Sequence, residues 1–212
     1  MTLQAVAWDV DGTLVDSEPL HHRALVAGCR QWGIDLSDLP DQAFRGIHMK
    51  DVWLALLNRF PRTLREQDWL EAINDHYAAH RAELQAMPQA VETVRALANL
   101  GVAQVCVSNS ARRIVDANLD ALGIAGCMAF SISLDDVREG KPSPEPYQQA
   151  CRRLAMVPSK VLAVEDSLTG AKSAWAAGLV VAGYGPDDWN RYEVRHVVTD
   201  LTQIIDCLSR GR

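Results

Sequence analysis

Two acidic residues near the N-terminus, Asp9 and Asp11, follow the short apolar run Ala-Val-Ala-Trp at 5–8. An apolar run of this kind predicts a buried strand, and residues two apart on an extended chain point to the same side. Like charges held this close resist joint ionisation, so the pair suggests a bound cation, a shared proton, or both. The alternative is an acidic turn, because Asp-Gly is a common turn dipeptide.

Polar residues also follow two later apolar runs, at 102–107 and 161–164. The segments in question are Ser108-Asn109-Ser110 and Glu165-Asp166-Ser167. Ligands of open α/β sheets bind beyond the carboxyl ends of the strands, so three strand ends are expected to bring acids and hydroxyls to one edge. Helices predicted just after Ser110 and Ser167 would offer free N–H groups to an anion, or the two serines would cap those helices.

The elements that must position these residues alternate along the chain. Further strands are predicted at 179–182, 128–132 and 197–198, and helices at 91–100, 111–122 and 168–177, each helix followed by a glycine. Strands alternating with helices predict an α/β fold in which a parallel sheet is covered by helices on both faces.

The segment 16–85 lacks clear strands and has helical patterns at 18–32, 51–60 and 63–84. Thr63 and Glu66 resemble a capping box at the start of the last helix. We therefore expect an all-helical insertion over 16–85 between the first strand and the rest of the sheet, which is built from 1–15 and 86–212. Trp32, Trp53 and Trp69 are predicted to form the core of this insertion.

Composition narrows the class of protein. The 212 residues are 48% hydrophobic and carry a formal net charge of −6, which argues against nucleic-acid binding but permits an anionic small molecule in a locally positive pocket. The five cysteines are scattered and form no CxxC pair, which favours a reduced, cytoplasmic protein. No apolar stretch is long enough to cross a membrane, so no membrane partner is expected. A monomer or weak dimer is expected.

Four motifs in order carry a resemblance to a known family. They are the run from Asp9 to Glu18 (DVDGTLVDSE), Ser108 with Asn109, Lys141-Pro142-Ser143-Pro144, and Glu165-Asp166-Ser167 with Gly170 after it. On these motifs the chain resembles the haloacid dehalogenase-like hydrolases, in the capped subfamily that contains phosphoglycolate phosphatases and β-phosphoglucomutases. The resemblance implies a Rossmann-like core with an inserted helical cap.

The resemblance also implies phosphoryl transfer through an aspartyl phosphate. Asp9 would be the nucleophile, and Asp11 would protonate the leaving alcohol and then take a proton from the attacking water. Mg²⁺ would be held by Asp9, the main-chain carbonyl of Asp11, Asp166 and Glu165. The dehalogenases themselves lack an aspartate at the position of Asp11, which favours a phosphatase.

By the same resemblance, Ser108 would bind a phosphoryl oxygen, Asn109 beside it would contact the substrate, and Lys141 would supply positive charge to the nucleophile and the phosphate. From the residues alone, Lys141 is an ordinary solvated lysine in a Gly-Lys-Pro loop. In the cap, His21, Arg45 and Gly46 are candidate substrate-binding residues. Read without the family, His21 is a surface or hinge residue.

One departure from the sugar-phosphate mutase branch concerns the cap. Met49 stands where that branch carries an arginine that grips a second phosphate, and Lys50 follows it. A mutase must retain a bisphosphate intermediate, so the absence of an arginine that binds the second phosphate favours hydrolysis of a small phosphate ester. The ester would be a sugar phosphate, a sugar-acid phosphate or phosphoglycolate. The alternatives are a hexose-phosphate phosphomutase and a non-catalytic regulatory protein with a residual site.

Overall fold

The computed structural model describes residues 2–40, 43–44, 47–185, 188–189 and 194–209. The chain divides into two compact units. The sheet unit comprises Met1–Asp16 and Gln85–Arg212, and the helical unit comprises Ser17–Leu84. The chain therefore leaves the sheet unit soon after its first strand and returns to it at Gln85.

Within the described residues, the sheet unit is built on six parallel strands, which confirms the predicted α/β class. In chain order they are β1 (Ala5–Trp8), β4 (Ala103–Val107), β5 (Phe130–Ile132), β6 (Val161–Glu165), β7 (Val180–Tyr184) and β8 (His196–Val198). Their spatial order is β5-β4-β1-β6-β7-β8. The first strand thus lies between β4 and β6, so the connections run to opposite sides of β1, and such a switch point opens a crevice at the strand ends.

The described part of this unit also contains five helices. They are α4 (Ala90–Asn99), α5 (Arg112–Leu122), α6 (Glu145–Leu154), α7 (Leu168–Ala176) and α8 (Gln203–Ser209). Single 3₁₀ turns lie at Ala125–Cys127, Leu134–Asp136 and Pro158–Lys160. A short antiparallel pair, β2 (Val15–Asp16) with β3 (Gln85–Ala86), stands where the chain leaves and re-enters the unit. Sequence analysis did not anticipate this pair, because two-residue strands carry no periodicity.

The centre of the sheet is buried on both faces. All four residues of β1 are inaccessible to solvent, as expected for a parallel strand covered by helices. Trp8 is unusually large for this position, and its indole N–H donates to Gln104 Oε1 at 3.0 Å. The Gln104 amide in turn donates to the Val94 carbonyl at 2.9 Å. Burial of these polar groups is therefore compensated, and the bulky ring anchors the strand that leads into Asp9.

The helical unit contains α1 (Glu18–Arg30), α2 (Met49–Leu56) and α3 (Glu66–Ala79), with 3₁₀ turns at Leu57–Arg59 and Arg81–Glu83. Trp53 and Trp69 are buried and pack together with Phe60, the Trp53 and Phe60 rings being stacked at 4.3 Å. Trp32 is only partly buried, so two of the three tryptophans form the expected core.

The predicted capping box at Thr63 is wrong. The Leu64 N–H donates to the Pro61 carbonyl at 2.9 Å, so Thr63 lies within a turn that precedes the helix. The N-cap position of α3 is Arg65, which makes no side-chain cap hydrogen bond. Its guanidinium instead pairs with Asp68 in the first helical turn, at 2.5 and 2.7 Å.

All five cysteines lie in the described part of the chain and none of them forms a disulfide, and Cys29, Cys106 and Cys151 are buried.

Across the described segments, every helix is too short or too polar to traverse a bilayer.

Candidate active site

The polar ends of β1, β4 and β6 meet at the carboxyl edge of the sheet unit. Asp9 directly follows β1, Ser108 directly follows β4, and Glu165 is the last residue of β6. The parallel register aligns Trp8 with Cys106 on one side and with Val164 on the other, which brings the residues after these three positions side by side. The structure thus brings together the polar residues that follow these three strands.

Lys141 lies at the centre of this group and joins two of its acids. Its ammonium donates to Asp9 Oδ1 and to Glu165 Oε1, both at 2.7 Å. The Lys141 residue is only 5% exposed, so it is not the solvated loop lysine that the local sequence indicates. The Tyr147 hydroxyl also donates to Glu165 Oε1. A buried cation is therefore held against the candidate nucleophile.

Three carboxyl groups converge beside this lysine. Ligand oxygens of Asp9, Glu165 and Asp166 all lie within 4.8 Å of one another. Within the described residues, Asp9 Oδ2 and Glu165 Oε2 are buried and lack a hydrogen-bond partner. Unpaired buried oxygens are costly, and an all-oxygen donor set of this kind suits a hard divalent cation such as Mg²⁺. The residues present therefore fit a divalent cation.

Two glycines make room for the acids. Gly12 has a φ of +84°, and a Cβ there would lie 2.1 Å from Asp166 Oδ2. A Cβ on Gly170 would lie 1.8 Å from Glu165 Oε2. Any other residue at either position would displace a carboxylate, so both glycines are needed for the shape of the acidic cluster, and Gly12 is needed for its backbone conformation as well.

The electrostatics of the cluster reflect burial and charge crowding. Burial raises the pKa of Asp9, although Lys141 opposes that shift. Burial and the Asp9 charge raise the pKa of Glu165 to about 7, again opposed by Lys141. Burial and the charges of Asp9 and Glu165 raise the pKa of Asp166 to about 8. Burial alone would lower the pKa of Lys141, but its two acidic partners hold it above the ordinary value. The Lys141 ammonium thus lowers the pKa of all three carboxyl groups, against the effect of their burial.

The side chain of Asp11 points to a different set of partners. Its Oδ2 accepts from the Ser110 hydroxyl at 2.8 Å and from the Ser108 hydroxyl at 3.1 Å. Its Oδ1 accepts from the Asn118 amide at 3.1 Å. The Asp11 carboxylate is not part of the three-acid cluster, which leaves the main-chain carbonyl as the expected contribution of Asp11 to a metal.

Asn109 holds the loop that carries Lys141. The Lys141 N–H donates to Asn109 Oδ1 at 2.7 Å, and Asn109 Nδ2 donates to the Lys141 carbonyl at 2.9 Å. Both ends of the amide therefore grip the main chain of one residue. In this arrangement Asn109 positions the lysine, a role that differs from the expected contact with substrate.

The candidate residues in 17–84 are described within the helical unit alone. His21 lies on α1, and its ring packs against Tyr77 with 4.6 Å between ring centroids. Arg45 and Gly46 lie outside the described residues. Met49 begins α2 and is partly buried, and Lys50 after it is exposed.

Sequence analysis missed the roles of Ser110, Asn118 and Tyr147. Ser110 does not cap α5, whose N-cap position is Ala111, whereas Ser167 does cap α7 by accepting from the Gly170 N–H at 3.2 Å. Asn118 is fully buried, four residues after Ile114 and four before Leu122. A lone amide inside an apolar helix stripe was a readable signal, since buried polar groups require partners.

Comparison with known proteins supplies the family. The model of the haloacid dehalogenase-like hydrolases matches residues 3–178. Hexitol phosphatase A of Escherichia coli is 29% identical over 96% of this chain and 94% of its own length. Pyrophosphatase PpaX of Oceanobacillus iheyensis is 26% identical over 97% of this chain and 96% of its own length.

A solved structure is similar over nearly the whole chain. CbbY of Rhodobacter sphaeroides in complex with phosphate has a TM-score of 0.83 and 25% identity, covering 95% of this chain and 96% of that one. The match of fold, the motif residues gathered at one sheet edge and the named relatives agree. The chain belongs to the haloacid dehalogenase-like hydrolases, and it is an enzyme of the phosphoric monoester hydrolase class.

Proposed function

We propose that this enzyme is a Mg²⁺-dependent phosphatase of a small phosphorylated metabolite, acting through an aspartyl phosphate on Asp9. The main support for this proposal is that the two oxygens of the Asp9 carboxylate differ in their partners. Oδ1 accepts from the Lys141 ammonium at 2.7 Å, whereas Oδ2 is buried without a hydrogen-bond partner among the described residues. A nucleophile needs one oriented oxygen with an available lone pair, and this arrangement supports that role.

In the proposed first step, Asp9 Oδ2 attacks phosphorus as the bond to the leaving alcohol breaks. The Lys141 ammonium, fixed by Asp9 and Glu165, offsets negative charge near the nucleophile and the transferring group. In this proposal Ser108 turns its single hydroxyl hydrogen from Asp11 Oδ2, to which it donates in the structure, to a phosphoryl oxygen of the substrate. Asn109 keeps the lysine in place through the main chain.

Asp11 is proposed to be the general acid and base of the reaction. In the first step Asp11 protonates the departing alkoxide, and in the second step Asp11 takes a proton from the water that attacks the phosphoryl group on Asp9. Water cleaves the bond between phosphorus and Asp9, so free phosphate leaves and the carboxylate is regenerated. The donors that remain on Asp11, Ser110 and Asn118, support a carboxyl group with a defined orientation.

The proposed cation site consists of Asp9, Glu165, Asp166 and the carbonyl of Asp11. Carboxylates with a few further oxygens suit Mg²⁺. When bound, the cation would neutralise charge between the acids and the phosphate of the substrate. The clustered oxygens and the buried, unpaired Glu165 Oε2 support this assignment.

The helical unit is proposed to act as a cap that selects the leaving group, with His21, Arg45 and Gly46 as its substrate contacts. The name of the hexitol phosphatase relative supports a phosphorylated sugar or sugar derivative as substrate. A sugar-acid phosphate and phosphoglycolate remain within the same proposed class of small, polar monoesters.

Phosphate release from a panel of esters tests this function. The panel contains sugar phosphates, hexitol phosphates, sugar-acid phosphates and phosphoglycolate, each assayed with Mg²⁺ and with EDTA. We expect release from one chemical class, with loss of activity in EDTA that Mg²⁺ restores. Conversion of a hexose phosphate into its isomer without free phosphate would instead identify a mutase. Absence of turnover across the panel, with binding of phosphate analogues, would favour a regulatory protein.

The effect of Mg²⁺ on stability is expected to depend on pH. Because the pKa values of Glu165 and Asp166 are raised to about 7 and about 8, these groups contribute stability that is present below their ordinary values and is lost as pH rises through 7 and 8. Because the ordinary pKa values of the two groups are 4.5 and 3.8, metal-free protein should show an unfolding temperature that falls from about pH 4 to about pH 8 and then levels off. Mg²⁺ binds the ionised acids, so its stabilising increment should grow over the same range.

Thermal unfolding with EDTA and with Mg²⁺ at several pH values measures this increment. Asp166→Asn is the matched variant, since the amide keeps the shape of the side chain but removes one ionisable group. It should shrink both the pH dependence and the Mg²⁺ increment. An unchanged Mg²⁺ increment in this variant would remove Asp166 from the proposed ligands.

A further inference from the structure

The Asn118 amide is the least expected polar group near the site. It lies in the middle of α5 (Arg112–Leu122), and it is completely buried among Ile114, Val115 and Leu122 of the same helix. Burying an amide is costly unless it is hydrogen-bonded. Its Nδ2 donates to Asp11 Oδ1 at 3.1 Å across 107 residues of sequence. The amide therefore crosses from a helix to the loop after β1.

Three donors among the described residues divide between the two oxygens of Asp11. The Ser108 and Ser110 hydroxyls both bond Oδ2, at 3.1 and 2.8 Å, whereas Oδ1 accepts from the Asn118 amide. Contacts to one oxygen alone let a carboxyl group pivot about that atom. A donor to the second oxygen fixes the plane of the group. Among these donors, Asn118 is the one that supplies this constraint.

The constraint also differs in stiffness from the serine contacts. A hydroxyl rotates freely and can donate or accept, whereas an amide N–H only donates and is held by its planar group. The amide sits on a packed helix, since Val115 is fully buried and Leu119 is 5% exposed. Sites built on helices are held more precisely than sites on loops.

We propose that Asn118 is a positioning residue that fixes the orientation of the Asp11 carboxyl group for proton transfer to the leaving alcohol. This inference rests on the proposed function, because it requires Asp11 to be the acid and base of the reaction. It predicts that the contribution of Asn118 depends on how much the leaving group needs a proton. An alkyl alcohol needs one, and p-nitrophenolate leaves well without it.

Asn118→Leu tests the proposal, since leucine has the same number and branching of side-chain heavy atoms and no donor. General acid catalysis contributes roughly 10²–10⁴-fold, and the two serines remain, so kcat/KM for alkyl phosphates should fall roughly thirtyfold. For p-nitrophenyl phosphate we expect a fall in kcat/KM of less than about threefold, because its leaving group needs little proton transfer and kcat/KM does not include the later attack of water on the phosphoenzyme. Apparent KM should change little, because Asn118 is not proposed to touch substrate.

Leu119→Ala is the matched control, because it removes a buried side chain from the same helix without removing a donor to Asp11. It should lower the unfolding temperature and leave the ratio of alkyl to aryl turnover unchanged. If Asn118→Leu does not fold, Asn118→Ala replaces it, since alanine leaves a cavity but introduces no clash.

Three outcomes separate the possible failures. If kcat/KM of the Asn118 variant falls equally for alkyl and aryl esters, Asn118 has only a structural role and the proposal is overturned. Wild-type values of kcat/KM for both kinds of ester would also overturn it. Retention of turnover by Asp9→Asn would instead overturn the proposed function, whatever the Asn118 variant does.

Discussion

Asp9→Asn should abolish phosphate release, with a loss of kcat of roughly 10⁴-fold or more, as expected when a covalent nucleophile is removed. The amide is nearly the same size as the carboxylate and can still accept from Lys141, whose ammonium lies 2.7 Å from Asp9 Oδ1. The unpartnered oxygen becomes an amide nitrogen or a weakly nucleophilic amide oxygen, neither of which attacks phosphorus. Steady-state phosphate release with saturating Mg²⁺ measures the loss.

Two further measurements make this test specific. Asp120→Asn introduces the same chemical change at an exposed acid of α5 and should retain wild-type turnover. With wild-type enzyme, an added alcohol should compete with water for the phosphoryl group, and the ratio of the two products should be the same for esters with different leaving groups. A common ratio indicates a shared phosphoenzyme. Ratios that vary with the ester would contradict an aspartyl phosphate.

Lys141→Met should impair both catalysis and stability. Methionine keeps the length of the side chain but leaves Asp9 and Glu165, each formerly 2.7 Å from the ammonium, without their cation. Removing one partner of a buried ion pair costs about 3–5 kcal/mol of unfolding free energy. Removing a charge that stabilises the transition state costs roughly 10²–10³-fold in kcat. Chemical denaturation and steady-state kinetics measure the two effects.

A second substitution distinguishes the electrostatic cause from lost packing. Adding Glu165→Gln to Lys141→Met removes one of the unpaired charges, so stability should partly return while activity stays low. Lys172→Met, on the exposed side of α7, is the matched control and should change neither property appreciably. If Lys141→Met proves as stable as the wild type, the buried lysine is not what holds these acids together.

The sheet could be predicted from sequence because its strands are buried on both faces and therefore appear as continuous apolar runs. The run at 5–8 coincides with β1, and the strand predicted at 161–164 differs from β6 (Val161–Glu165) by one residue. The short pair of β2 and β3 was missed, since pairing of two-residue strands depends on tertiary contacts. The start of α3 was misplaced because the turn at Pro61 competes with the apparent cap at Thr63.

Prediction of the site depended on how each residue is recognised. The acids after β1 and β6 follow from strand ends and chain topology. Lys141 was identified only by family resemblance, because nothing in a Gly-Lys-Pro loop indicates a residue with 5% exposure. Asn118 and Tyr147 reach the site through the rotation of α5 and α6 about their axes. That rotation is set by packing between elements, and local sequence does not determine it.

The close approach of Gly12 to Asp166 links two positions that are far apart in the chain. A methyl group on residue 12 would occupy the place of a carboxylate oxygen, at 2.1 Å from Asp166 Oδ2. A descendant of this enzyme could therefore accept a larger residue at 12 only after position 166 had already changed. An intermediate that had changed only at position 166 would have a weakened acidic cluster. Substitutions at positions 12 and 166 are therefore expected to occur together or not to occur.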